Sequence, residues 1–269
     1  MPTYLDDLLS GAHARVAAAR AAQPLEALRE RAAEVPVGAD FRAALAGDGV
    51  ALIAEVKRAS PSKGPIAPEL DAVAQAAAYR AGGAAAVSVL TEPEQFRGSL
   101  ADLADVAAIG VPALRKDFLV DAYQVWEARA AGASAVLLIV AALDEPMLAR
   151  LYDEARQAGL GVLVEVHDVG EMAAAARLGA DVIGVNARDL RTFAMDPDGF
   201  ARLRGHLPDT ALAVAESGIA SPDDVRRAAE QGADAVLVGE SLVRAPDPTA
   251  MAAALVAAGR PTAAPKGLT

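Results

Sequence analysis

The run Gly161-Val162-Leu163-Val164-Glu165-Val166, the segment that follows it, the turn Leu178-Gly179-Ala180-Asp181 and the next run Val182-Ile183-Gly184-Val185 contain the unit that decides the fold. A short apolar run that lacks sustained polar alternation reads as a parallel strand buried on both faces. The segment behind it is long enough for about three turns of helix. Gly179 then supplies the residue that can leave a helix at positive φ.

Working outward, the same unit recurs. Apolar runs fall at Ala51 to Val56, Ala85 to Leu90, Val111 to Leu114, Ala135 to Val140, Gly161 to Val166, Val182 to Val185, Ala211 to Ala215 and Ala235 to Val238, and the segments between them read as helices. Pro68-Glu69 is expected to open one helix, with Leu70, Val73, Ala74, Ala77 and Ala78 at helical spacing. Ser221-Pro222-Asp223-Asp224 offers an N-cap serine with proline at the first helical position. Small-residue turns recur at Ala81-Gly82-Gly83-Ala84, Ala131-Gly132-Ala133 and Gln231-Gly232-Ala233-Asp234. Those turns alone are also compatible with a doubly wound sheet. Eight β/α alternations in 269 residues count naturally to a closed (β/α)8 TIM barrel. Residues 1–48 read as an N-terminal helical extension, with helices at Tyr4 to Ala22 and Leu25 to Ala33, packed on one barrel domain that takes in the whole of 1–269. The tail 261–269 reads as disordered.

Composition narrows the function. Apolar residues make up 54% of the chain and aromatics 4%, so the core must be built from Ala, Val, Leu and Ile. No apolar run reaches the length of a membrane span, and no signal-peptide pattern opens the chain. Cysteine is absent, which removes disulfides, thiolate metal sites and cysteine nucleophiles. The scattered His13, His167 and His206 have no metal spacing, so no metal is expected. The formal charge of −11, without a basic cluster, argues against nucleic acid as a partner. A cytoplasmic protein is expected. Of 25 basic residues only Lys57, Lys63, Lys116 and Lys266 are lysine, and three of these lie in two short motifs. Lysine can lose its proton when desolvated, whereas arginine effectively cannot.

In a barrel, catalytic groups sit at the C-terminal ends of strands. The polar residues there are Glu55 and Lys57, then Arg115-Lys116-Asp117, Glu165 and His167, Asn186 and Arg188, Glu216-Ser217-Gly218 and Gly239-Glu240-Ser241. Glu55 and Lys57 are two apart and share a strand face; Val164 and Val166 turn away from the face of Glu165. Charges inside a barrel are costly unless paired or functional. The bland alternative is an ion pair that merely closes the barrel, such as Glu55 with Lys116. Ser217-Gly218 and Gly239, after the last two strands, occupy the usual place of a barrel phosphate site. His167 reads as a supporting or surface residue, and Trp126 as packing.

Glu55-Val56-Lys57-Arg58-Ala59-Ser60-Pro61-Ser62-Lys63-Gly64 resembles the first-strand signature of the indole-3-glycerol-phosphate synthases. Leu114-Arg115-Lys116-Asp117-Phe118, Val164-Glu165-Val166-His167, Asn186-Ala187-Arg188-Asp189-Leu190 and Ala215-Glu216-Ser217-Gly218-Ile219 are similar to later motifs of that family, in the same order; Leu90-Thr91-Glu92 and Phe96 to Leu100 fit as well. The resemblance implies ring closure of 1-(2-carboxyphenylamino)-1-deoxyribulose 5-phosphate to indole-3-glycerol phosphate, carbon dioxide and water, in tryptophan biosynthesis. It implies no cofactor and no metal, a small phosphorylated substrate, and other tryptophan-pathway enzymes as partners. It implies that Lys116 is the general acid and Glu165 the general base of the later dehydration. Lys57 would hold the substrate carboxylate, with Glu55 and Asn186 orienting these groups. Ser60, Ser217, Gly218, Gly239 and Glu240 would surround the phosphate, with Arg188 and Glu216 also in contact with substrate. Phe118, Leu137, Leu190 and Leu237 would wall the aromatic ring. Burial and the nearby Lys57 are expected to tune Lys116 downward. Asp189 and Glu240 depart from the common pattern; the first places an extra negative charge near the site, and the second suggests a main-chain role.

Rival readings have their own signatures. A sugar-phosphate isomerase on the same barrel calls for a Cys/Asp pair, and the chain has no cysteine. A Schiff-base aldolase would place lysine on the sixth strand, where Asn186 stands. A barrel that only binds ligand would lack its acid or base.

Overall fold

The computed structural model describes residues 3–261. Eight parallel strands close on themselves: β1 (Ala51–Val56), β2 (Ala86–Leu90), β3 (Ala113–Lys116), β4 (Ala135–Ile139), β5 (Gly161–Val166), β6 (Val182–Asn186), β7 (Leu212–Glu216) and β8 (Ala235–Val238). Each pairs with its sequence neighbours, and β1 meets β8 with Ala51 opposite Ala235. The barrel is the (β/α)8 architecture, and closure removes the exposed edges that a doubly wound sheet would keep.

Period-2 alternation separates two cores. Leu52, Ala54 and Val56 turn outward with Val164 and Val166 to meet the helices. Ile53, Leu114, Leu137, Leu163, Val182, Val214 and Leu237 turn inward and pack together along the barrel axis. The inner core is aliphatic, as a chain poor in aromatics requires. The outer helices end as the turns predict: Gly179 is left-handed at φ 74°, and Gly83, Gly132 and Gly232 also take positive φ. Ser221 caps the helix Pro222–Glu230 in a capping box with Asp224, Pro222 standing in the first turn. Pro68 does not open a helix. The helix is Ala72–Ala81, capped by Asp71, whose carboxylate accepts from the N–H groups of Val73 and Ala74. A side-chain acceptor in place outweighs a proline that merely permits the first turn.

Three helices precede β1. Tyr4–Ala22 and Leu25–Glu34 are the expected pair, and Phe41–Leu45 was not foreseen. Phe41 and Leu45 are buried in the inner core; a Cβ built at Gly161, the first residue of β5, would lie 3.1 Å from Cβ of Phe41. This short helix therefore plugs the N-terminal end of the barrel. Leu5 and Leu8 of the first helix join the same core. Tyr123 donates through its hydroxyl to the carbonyls of Ala19 and Gln23, at 3.1 and 3.0 Å, which fixes that helix's end. Residues 262–269 of the expected tail lie outside the described residues.

Candidate active site

The C-terminal ends of the strands surround a cavity of about 500 Å³, within the range of small-molecule sites. Every site residue proposed from sequence lines it: Glu55, Lys57 and Ser60 from β1 and its loop, Lys116 and Phe118 from β3, Leu137 from β4, Glu165 from β5, Asn186, Arg188 and Leu190 from β6, Glu216, Ser217 and Gly218 from β7, and Leu237, Gly239 and Glu240 from β8.

The charged residues form one cluster at its floor. Lys57 Nζ lies 2.6 Å from Glu55 Oε1. Lys116 Nζ lies 3.4 Å from Glu165 Oε2 and 3.8 Å from Glu216 Oε2. The pairing that might merely close the barrel, Glu55 with Lys116, is therefore not the one made; Glu55 takes Lys57, its neighbour on the same strand face. Asn186 donates through Nδ2 to Glu165 Oε1 at 3.1 Å, while its Oδ1 accepts from Ser217 Oγ at 2.8 Å and from the Arg188 N–H at 3.0 Å. Those three bonds fix which way the amide faces. On the other side of Glu165, His167 Nε2 stands 3.4 Å from Oε1, and its Nδ1 lies 3.0 Å from Glu171.

This packing sets the charge states. Burial acts to lower Lys116, but the carboxylates of Glu165, Glu216 and Glu55 outweigh it and hold the ammonium above the usual lysine range. The expected downward tuning is thus corrected: Lys57, which would have supplied the repulsion, is drawn to Glu55, and Lys116 faces carboxylates instead. Burial opposes ionisation of Glu165, yet Lys116, His167 and the Asn186 amide keep it below the usual glutamate range. Glu216 goes the other way. Burial and the Glu165 charge push it well above that range against the pull of Lys116, so of the two carboxyls beside Lys116 it is the one that takes a proton first as pH falls. A Cβ at Gly184 would collide with the Glu216 carboxyl, so glycine on β6 makes room for it. Gly239 likewise leaves room for Glu55 and Lys57, since a Cβ there would meet both.

Around the mouth the backbone is bent into sparsely occupied conformations. Ser217 and Gly218 take consecutive positive φ, 64° and 78°, and Arg97 and Phe193 also lie at positive φ. Glu240 opens the short helix Glu240–Val243, and its carboxylate accepts from Arg244 Nε at 3.0 Å. Asp189 is not directed into the cavity. Its carboxylate accepts from the N–H groups of Arg191 and Thr192, at 2.8 and 2.7 Å, and ties the loop after β6.

Several lining residues escaped the sequence reading. Tyr4 and Leu8 come from the N-terminal helix, Phe193 from the loop after β6, and Arg244 from beyond β8. Tyr4 meets Phe193 edge-on, ring centroids 4.9 Å apart. No local pattern marks Tyr4 or Phe193, because their contact spans most of the barrel sequence. Arg244, four residues after Glu240, does carry a helical pairing signal.

Among solved structures, the fold is similar to thiamine phosphate pyrophosphorylase from Pyrococcus furiosus, with a TM-score of 0.62 and 18% identity, over 81% of this chain and 97% of that one. At that identity the likeness concerns the fold alone. A family model described as indole-3-glycerol phosphate synthase matches residues 5–255. The chain is 55% identical over 251 residues to the indole-3-glycerol phosphate synthase of a Nocardioides species, covering 91% of this chain and 95% of that protein. It is 52% identical over 258 residues to indole-3-glycerol phosphate synthase 1 of Streptomyces coelicolor, covering 96% of each. The chain belongs to the indole-3-glycerol phosphate synthase family.

Proposed function

We propose that this barrel closes the indole ring of 1-(2-carboxyphenylamino)-1-deoxyribulose 5-phosphate, releasing carbon dioxide and water and leaving indole-3-glycerol phosphate, as a cytoplasmic step of tryptophan biosynthesis. The observation that carries it is the opposition of one charged ammonium, Lys116, and one ionised carboxylate, Glu165, 3.4 Å apart at the floor of a 500 Å³ cavity. An acid must hold its proton before it can give it, and a base must be free of one. Lys116 protonates the ketone oxygen as the ring carbon attacks. Glu165 removes a proton in the dehydration that follows. Lys57 holds the substrate carboxylate, exchanging its present partner Glu55 for the ligand's anion. Glu55 and Asn186 keep the lysines and Glu165 aimed.

The phosphate end falls to Ser60, Ser217, Gly218, Arg188 and the main chain at Gly239 and Glu240. The Glu240 carboxylate is occupied by Arg244, which supports a backbone role for residue 240. Glu216 contacts substrate as a neutral carboxyl, a donor rather than a repelling charge. The aromatic ring packs on Phe118, Leu137, Leu190 and Leu237.

The test is the growth of indole absorbance and fluorescence when the carboxyphenylamino substrate is added. Lys116→Ala and Glu165→Gln should each lose ~10²–10⁴-fold in turnover while keeping the wild-type circular dichroism. Near-wild-type turnover in either variant would refute its assigned role.

A further inference from the structure

The cluster at the floor of the cavity meets water through the cavity itself, the space that substrate would fill. Glu165 is fully buried, and Lys116 points inward at it. Yet the reaction proposed above takes up protons. Carbon dioxide leaves from a carboxylate, so the negative charge it had must be made good by one proton from solution per turnover. A side chain outside the cavity lining, His167, reaches Glu165 by a second way. Its Nε2 is buried, makes no hydrogen bond and stands 3.4 Å from Glu165 Oε1. Its ring is 14% exposed.

Glu171 sets the orientation of that ring. It is the third residue of the helix Val169–Leu178, and its Oε2 takes both the His167 backbone N–H, at 2.8 Å, and Nδ1, at 3.0 Å. The two-point hold turns Nδ1 outward and leaves Nε2 aimed at Glu165. A carboxylate on each side of the imidazole favours its protonated form. Against the effect of burial, Glu171, Glu165 and Asp189 raise His167 above the usual histidine range. These three acids face it from the helix that follows it, from β5 and from the loop after β6.

We infer that His167 is the proton port of the buried acid–base cluster, a positioning and relay residue through which the proton consumed by each ring closure enters from solvent. The step is a simple exchange. The imidazolium Nε2–H passes to Glu165 Oε1, leaving neutral imidazole and a carboxylic acid. A half-turn of that carboxyl about Cγ–Cδ brings the proton to the Lys116 side. There the neutral amine left by acid catalysis takes it, restoring ammonium and carboxylate. The imidazole then regains a proton from water or buffer. His167 does not touch substrate, and the inference rests on the roles given to Lys116 and Glu165 above.

His167→Gln keeps a polar side chain of similar reach and removes the titrating group. Measured on the full chain with the carboxyphenylamino substrate, its kcat should fall by ~10–100-fold, at or below the lower end of direct acid–base effects, with KM within about twofold of wild type. Free imidazole in the buffer should restore turnover in this variant and leave wild type unchanged. Glu171→Gln should move the alkaline limb of the kcat–pH profile to lower pH, because one of the carboxylates that favour imidazolium is gone. A wild-type kcat in His167→Gln would overturn the inference. So would a loss that imidazole does not rescue, a rise confined to KM, or an unmoved alkaline limb in Glu171→Gln. Glu165→Gln separates the two levels: inactive and insensitive to imidazole, it upholds the base on which the port depends. If instead it is active, the base assignment fails, and the relay through it fails with it.

Discussion

Three glutamates, Glu55, Glu165 and Glu216, share the inner face of the barrel and meet different neighbours. Glu55 is matched by Lys57 at 2.6 Å, and Glu165 by Lys116, Asn186 and His167. Glu216 is buried beside another carboxylate, and both effects raise its pKa above the usual glutamate range. A group whose folded pKa is raised lends stability below its unfolded value and loses it as pH rises towards the folded one. For Glu216 that window opens near the ordinary glutamate value of 4.5 and extends upward. Glu216→Gln mimics the neutral carboxyl and escapes the loss. Its thermal midpoint should exceed that of wild type at neutral pH, by ~2–4 °C for each kcal/mol recovered. The difference should shrink towards pH 4. A variant less stable than wild type at pH 7 would show that Glu216 is ionised in the fold. Turnover should largely survive in the same variant if a neutral carboxyl orients substrate, because the amide keeps a donor in its place.

At the scale of elements, the N-terminal extension does two separate jobs. The helix Phe41–Leu45 fills the N-terminal end of the barrel, and the helix Tyr4–Ala22 brings Tyr4 and Leu8 to the mouth at the opposite end. Arg15 on that longer helix reaches Glu92 and Asp117, at 3.3 and 3.4 Å, on the loops after β2 and β3. The two ends can therefore be perturbed independently. Phe41→Ala removes a fully buried ring from the plug, remote from the cavity; such truncations cost about 3–5 kcal/mol. Urea unfolding should show that loss, while KM of the folded fraction stays within about twofold of wild type. A large change in KM with little loss of stability would place Phe41 in contact with the mouth instead.

Across the whole molecule, the net charge of −11 opposes an anionic ligand, and the cavity answers it locally. Lys57, Lys63, Lys116, Arg188 and Arg244 line it beside Glu55, Asp117, Glu165, Glu216 and Glu240, and of the five cations Lys63 and Arg188 stand in no ion pair among the described residues. Concentrated in a cleft with low-dielectric walls, such charges focus the field where a phosphate must enter. Inorganic phosphate alone should then raise the thermal midpoint, by the equivalent of ~2.7 kcal/mol at a hundred times its dissociation constant. Gly239→Ala, which forces a Cβ into Glu55 and Lys57, should weaken that response. An identical shift in both proteins would locate the anion away from the loops after β7 and β8.

The sequence by itself determined the barrel and the ring of strand-end residues. Strand burial is written in short apolar runs, and period-2 alternation fixes which of Glu55, Val56 and Lys57 face inward; both are local properties. All the lining residues proposed from motifs reached one cavity because strand ends in a closed parallel barrel must converge. Tertiary structure alone decided the partners and therefore the charges. That Lys116 meets Glu165 and Glu216 and not Glu55, that Lys57 is spent on Glu55, and that His167 turns a nitrogen towards Glu165 depend on distances between strands far apart in the chain. So do the plug at Phe41 and the contact of Tyr4 with Phe193. A local pattern can say which way a side chain points, but the energy of an ionised group is set by whatever the fold brings within a few ångströms of it.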